Sequence, residues 1–119
     1  MGVKERYAHL PPLPDDIRER LSRLGEVLRR HPVRLAYLFG SASRNLSGSA
    51  DIDIAVLPGR GFSFRALYAD LSLALGTDRL DLVDLRVAPP HLQAEIIATG
   101  RCILIQSEGE SKCRAKYSL

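Results

Sequence analysis

The sequence predicts an α/β domain built on a small mixed β-sheet of about four strands, with helices mainly on one face. Three observations carry that prediction. Short apolar runs with strand character lie at Val33–Phe39, Asp51–Leu57, Arg79–Leu85 and Arg101–Gln106. Stripes of apolar residues at helical spacing lie before and between them. The connections then set directions. The link between the first two strands is short and suits an antiparallel pair, whereas a helix joins the second to the third and suits a parallel crossover.

Taken in order, residues 1–13 are mostly polar and carry Pro11-Pro12, which reads as an extended lead-in to a domain over residues 14–106. A first helix is expected over Pro14–Arg30. Asp15 and Asp16 in its first turn and Arg29 and Arg30 in its last suit the helix dipole. Ile17, Leu21, Leu24 and Leu28, with Val27 beside them, form its apolar stripe, and Pro32 stops it. Its arginines Arg18, Arg20, Arg23, Arg29 and Arg30 read as a solvated side.

In the first strand Val33, Leu35, Tyr37 and Phe39 alternate with Arg34, Ala36 and Leu38, and Gly40 ends it. A small, polar segment follows, then a second strand closed by Pro58-Gly59. The next helix spans Phe64–Leu75, with Leu67, Leu71 and Leu75 as its core stripe and Gly76 as its stop. Beyond the third strand, Pro89-Pro90 precedes a short helix to Thr99, and Gly100 marks its end before the fourth strand. The polar, weakly patterned residues 107–119 read as a loosely held tail.

With 119 residues the chain suits a single core. Its composition, 45% hydrophobic and 26% charged, is that of a globular protein. No apolar run approaches the roughly 18 residues of a membrane span, and the N-terminus lacks a secretory hydrophobic core. A cytoplasmic protein is expected, with Cys102 and Cys113 reduced. The net charge of +3 is far from a basic patch and disfavours nucleic acid as a direct ligand. His9, His31 and His91 are scattered, without metal-type spacing, and read as surface or capping residues.

The chemistry concentrates around GSADIDIAVL. Residues two apart share a strand face, so Asp51, Asp53 and Ala55 lie opposite Ile52, Ile54 and Val56. The isoleucine face belongs to the helices and the aspartate face stays open. Alone, such a pattern reads as the acidic outer face of a half-exposed strand. The third strand, RLDLVDL, changes this: Asp81 lies opposite Leu80 and Leu82 in parity. Beside the second strand it would stand about 5 Å across the sheet from the first two acids. Asp84 competes for the same part, but its parity places it on the other face.

Three carboxylates so close repel one another unless a cation neutralises them. Mg²⁺, which takes one or two carboxylates plus substrate phosphates, suits such a set, and a pair of ions could clamp both ends of a phosphoryl displacement. Directly after the first strand comes FGSASR. Gly40 permits close backbone approach, Ser41 offers a hydroxyl and an amide to an anion, and Arg44 offers a bidentate phosphate contact.

Together, Gly40-Ser41, the Asp51-Ile52-Asp53 triplet and the later Asp81 resemble the nucleotidyltransferase superfamily related to DNA polymerase β. The resemblance covers roughly Leu35 to Ile105, including DLVDLRVAPPHLQAEIIATGRCIL, and is greatest to the minimal nucleotidyltransferase (MNT) group. It implies the nucleotidyltransferase fold, with Gly40, Ser41 and Arg44 binding the nucleotide's phosphates. It implies that Asp51, Asp53 and Asp81 hold two Mg²⁺ ions, with Asp81 helping to activate the attacking hydroxyl. ATP would be the substrate. Larger members carry added domains for their acceptors, for which this chain has no room. The MNT group implies an antitoxin that transfers AMP to a tyrosine of a partner HEPN ribonuclease toxin. Two alternatives stay open: a non-catalytic antitoxin that masks its toxin, and an enzyme acting on a small-molecule hydroxyl, for which a homodimer is possible.

Overall fold

The computed structural model describes residues 13–40 and 51–106. Two short helices, α1 (Ile17–Ser22) and α2 (Leu24–Arg29), lead into β1 (Val33–Phe39) and β2 (Ile52–Pro58). Helix α3 (Phe64–Leu75) connects to β3 (Leu80–Asp84), and α4 (Pro90–Thr99) to β4 (Arg101–Ile105). The sheet order is β3-β2-β1-β4. As the connections predict, β1 and β2 are antiparallel and β2 and β3 parallel. Strand β4, left unplaced by the sequence, pairs antiparallel with the other side of β1.

Helix α3 has the expected bounds because both ends carry stop signals. The Ser63 hydroxyl accepts the Ala66 N–H at 3.2 Å. At the other end Gly76 takes φ +70°, and the N–H groups of Gly76 and Thr77 return to the Ser72 carbonyl at 2.9 and 3.2 Å. Leu67, Leu71 and Leu75 between them are fully buried. They pack with Leu24 and Leu28 of α2 onto Ile52, Ile54 and Val56 of β2 and Leu80 of β3.

The N-terminal helix departs from expectation: it breaks at Arg23 (φ −101°, ψ 0°) instead of running unbroken over Pro14–Arg30. The Ser22 hydroxyl donates back to the Glu19 carbonyl at 2.6 Å, the kind of side-chain bond that bends helices. Around it the Arg23 and Glu26 amides reach carbonyls three residues back, both at 3.1 Å, which tightens the turn. Arg20 is no solvated bystander either. Its Nη1 donates to the Ala74 carbonyl at 3.3 Å and its Nε to Asp16 at 2.8 Å, fastening α1 to the C-terminus of α3.

Strand β1 also corrects the simple alternation. A register irregularity between Val33 and Leu35 places Val33 with Ala36 and Leu38 in the main core, while Tyr37 and Phe39 face the other way. There they join a second, smaller cluster in which Ile96 of α4 packs with Ala55 and Leu85. Among the described residues, three helices thus cover the isoleucine face, and α4 covers part of the aspartate face that the sequence left open.

The full burial of Leu71 sets a stability test. Leu71→Ala should lower unfolding free energy by about 2–5 kcal/mol in urea titration; a loss under about 1 kcal/mol would show a core able to close around the gap.

Candidate active site

The acids meet because β2 lies between β1 and β3. Register places Phe39, Asp53 and Asp81 side by side on the three strands, with adjacent backbones about 4.8 Å apart. Ile52 and Leu80, paired one step earlier, are fully buried beneath the helices, so Asp53 and Asp81 project from the opposite face. Asp51 adjoins them at the entrance to β2 and is only 7% exposed. Asp84, the competing acid, is held instead by Arg86, whose Nη2 and backbone N–H each reach its carboxylate at 2.8 Å. That hydrogen bonding holds its carboxyl below the usual range.

Asp53 is the electrostatic centre. Burial, then the charges of Asp51 and Asp81, push its carboxyl up to about 7. Gly40 closes in from the end of β1 at φ +73°, and a Cβ there would overlap Asp53 Oδ2. A glycine is therefore required twice over, by the backbone angle and by the carboxylate against it. Among the described residues, no three His, Cys, Asp or Glu side chains converge closely enough to hold a metal ion by themselves. The acids feel one another's charge without forming a closed cage. That donor set fits an ion which takes one or two carboxylates and completes its shell with phosphate oxygens.

Residues 22–109 match the family of polymerase beta nucleotidyltransferases. The chain belongs to that family. It is a nucleotidyltransferase, and its likeness to solved structures lies with MNT antitoxins in toxin–antitoxin complexes. One such structure, a toxin–antitoxin with AMP-PNP, shares 32% identity over 74% of this chain and 75% of that chain, with a TM-score of 0.60. Another is the tri-AMPylated Shewanella oneidensis HEPN toxin in complex with MNT antitoxin, at 33% identity, 76% and 73% coverage and a TM-score of 0.56. A third, the MntA–HepT toxin–antitoxin, shares 31% identity over 75% of this chain and 73% of that chain, with a TM-score of 0.55. No curated protein matches the chain.

Of the residues singled out in the sequence, Gly40, Asp51, Asp53 and Asp81 come together at one end of the sheet; Ser41 and Arg44 lie outside the described residues. One feature escaped the sequence. His31, paired through Nε2 with Asp70 Oδ2 at 2.7 Å, ties the entrance of β1 to α3. Arg79 extends the ladder just before β3, its carbonyl accepting the Ile52 N–H at 2.8 Å. A groove of about 360 Å³ lies elsewhere, among α1, α2 and the end of α3, lined by Asp16, Glu19, Arg20, Arg23, Glu26 and Arg30. Its Asp16–Arg20 and Glu19–Arg23 pairs, at 2.8 and 2.9 Å, are bonds within one helical stretch. No helix among the described residues is long and apolar enough to cross a membrane.

The electrostatics of Asp53 give a signed prediction. Its carboxyl ionises near pH 7 in the folded chain and near the ordinary aspartate value of 3.8 when unfolded, so folding retains the proton over that interval. Stability of the metal-free protein should therefore fall from about pH 4 to 7 and level off above. Asp53→Asn should remove that fall and be at least as stable as wild type at pH 7, measured by thermal melts in chelator. An unchanged slope would assign the titration elsewhere. Gly40→Ala should cost at least about 1–2 kcal/mol from the left-handed angle alone in the same assay.

Proposed function

We propose that this nucleotidyltransferase is an antitoxin that transfers AMP from ATP to a hydroxyl of a partner HEPN toxin, a tyrosine by resemblance. The observation that carries the proposal is the gathering of Asp51, Asp53 and Asp81 on one sheet face, with Gly40 against the central carboxylate. The MNT–HEPN complexes, one with AMP-PNP and one with a tri-AMPylated toxin, support the donor, the partner and successive additions.

In this reading the acceptor oxygen attacks the α-phosphorus of ATP, the α–β phosphoanhydride bond breaks and pyrophosphate leaves with the electron pair. Asp81 orients the attacking hydroxyl and takes up its proton. Gly40 and Ser41 present backbone and hydroxyl donors to the terminal phosphates, and Arg44 adds a planar cation. Mg²⁺ held by Asp51 and Asp53, together with substrate phosphates, would neutralise the acids and polarise the phosphoryl group. Burial of Asp51 and part-burial of Asp53 keep these charges aimed at one point and poorly screened by water.

The test combines the protein, labelled ATP, Mg²⁺ and the product of the adjacent gene. Label should pass to the partner with wild type and fall by about a hundredfold or more with Asp53→Ala. Undiminished label with Asp53→Ala would overturn the catalytic assignment. Suppression of toxicity by an Asp51→Ala/Asp53→Ala double variant would favour masking instead.

A further inference from the structure

Helix α4 is apolar yet scarcely buried by its own fold. Of its ten residues, PHLQAEIIAT, only Glu95 is charged and only Ile96 is buried. Ala94, Ile97 and Ala98 are exposed, Ile97 at 59%. A helix that meets water ordinarily carries charge on its outer side, as α1 and α2 do with Arg18, Glu19, Arg20, Glu26 and Arg29. Among the described residues four large apolar side chains are exposed: Phe64 and Leu73 on α3, Ile97 on α4 and Val87 in its lead-in. Position separates the two helices. Helix α3 packs on the isoleucine face of the sheet, and α4 packs on the face that bears the acids.

The C-terminal end of α4 also comes up beside the site. Gly100, just past the helix, lies so near β1 that a Cβ on it would stand 3.3 Å from the Leu38 carbonyl. Phe39 follows Leu38 and is paired with Asp53 across the sheet. Ile97 precedes Gly100 by about 4.5 Å of helix, and one strand spacing of about 4.8 Å separates Phe39 from Asp53. A protein that docks specifically covers about 800 Å² of its partner, a disc of roughly 16 Å radius. Ile97 lies within roughly that distance of Asp53. A protein acceptor that delivers a hydroxyl to the acids therefore covers the end of α4 as well. A second copy of this chain seated on the same helix would crowd the acids that the acceptor has to reach.

We propose that the outward side of α4, centred on Ile97 with Ala94 and Ala98, is the seat of the protein that carries the acceptor hydroxyl, and that the surface it receives is apolar. The proposal rests on the AMP transfer described above and deepens it by assigning the partner's docking face. Ile97 touches no reacting atom. It holds the acceptor over the acids, and the chemistry stays with the carboxylates.

The experiment measures two quantities for the adjacent gene's product: its affinity for this chain without nucleotide, and its KM and kcat as acceptor with ATP and Mg²⁺. Ile97→Glu should weaken binding and raise KM by about tenfold or more, because a carboxylate then enters an apolar contact. Its kcat should stay within about twofold of wild type, and its thermal melt should not move. Ile97→Leu should bind within about threefold of wild type. Ala94→Glu repeats the test at a second exposed position, where no large side chain is lost. Leu73→Glu, on the other side of the sheet, should leave both quantities unchanged. Wild-type affinity and KM in both α4 variants would overturn the proposal, as would an equal loss in Leu73→Glu. So would an Ile97→Glu protein that alters only its own oligomeric state, since a second copy would then cover the helix. A wild type that binds the product without labelling it defeats AMP transfer alone, and the affinities still decide the docking face. A wild type that neither binds nor labels the product overturns both.

Discussion

Everything at this site depends on holding like charges together against their mutual repulsion. Asp53 carries the burden, since burial and two neighbouring carboxylates disfavour its ionised form. The opposing force comes from the other face of the same strand. Ile52, Ile54 and Val56 are completely buried under α2 and α3, and moving the acids apart would drag these side chains out of the core. The acids stand on paired strands, so backbone hydrogen bonds as well as packing fix their spacing. Repulsion that cannot be relieved by movement becomes affinity for positive charge.

The helices that supply this anchorage are fastened in ways that do not touch the chemistry. Arg20 joins α1 to the end of α3, and His31 joins the start of β1 to the middle of α3. Helix α2 also packs beside the edge strand β4, where Gly25 has room for ordinary contact with the Ile103 carbonyl. Such ties resist shear between the helical layer and the sheet, and shear would shift β2 relative to its neighbours.

Much of this was legible in the sequence because period-2 geometry is strict. Parity alone placed Asp51, Asp53 and Asp81 on one face and set Asp84 apart, and the connection lengths gave the strand directions. What stayed hidden was irregular or distant. The shift after Val33 exchanges the faces of β1, and no residue type announces it. The break at Arg23 follows from the Ser22 hydroxyl turning back on its own helix, a choice that depends on packing. Helix α4 carries too weak an apolar stripe to declare which face it covers; only Ile96 is buried on it. The His31–Asp70 bond spans 39 residues and leaves no local pattern.

Among the described residues β3 is an outer strand of the sheet, and that position bears on its charges. An exposed outer strand is in general a template on which another chain can lay itself down. Leucine and valine fill much of β3, but Asp81 and the Arg86-bound Asp84 interrupt the run with charge. A second β3 laid alongside in parallel register would set aspartate against aspartate. Charge on such a strand counts against edge-to-edge pairing with a second copy, whatever else the same carboxylates do.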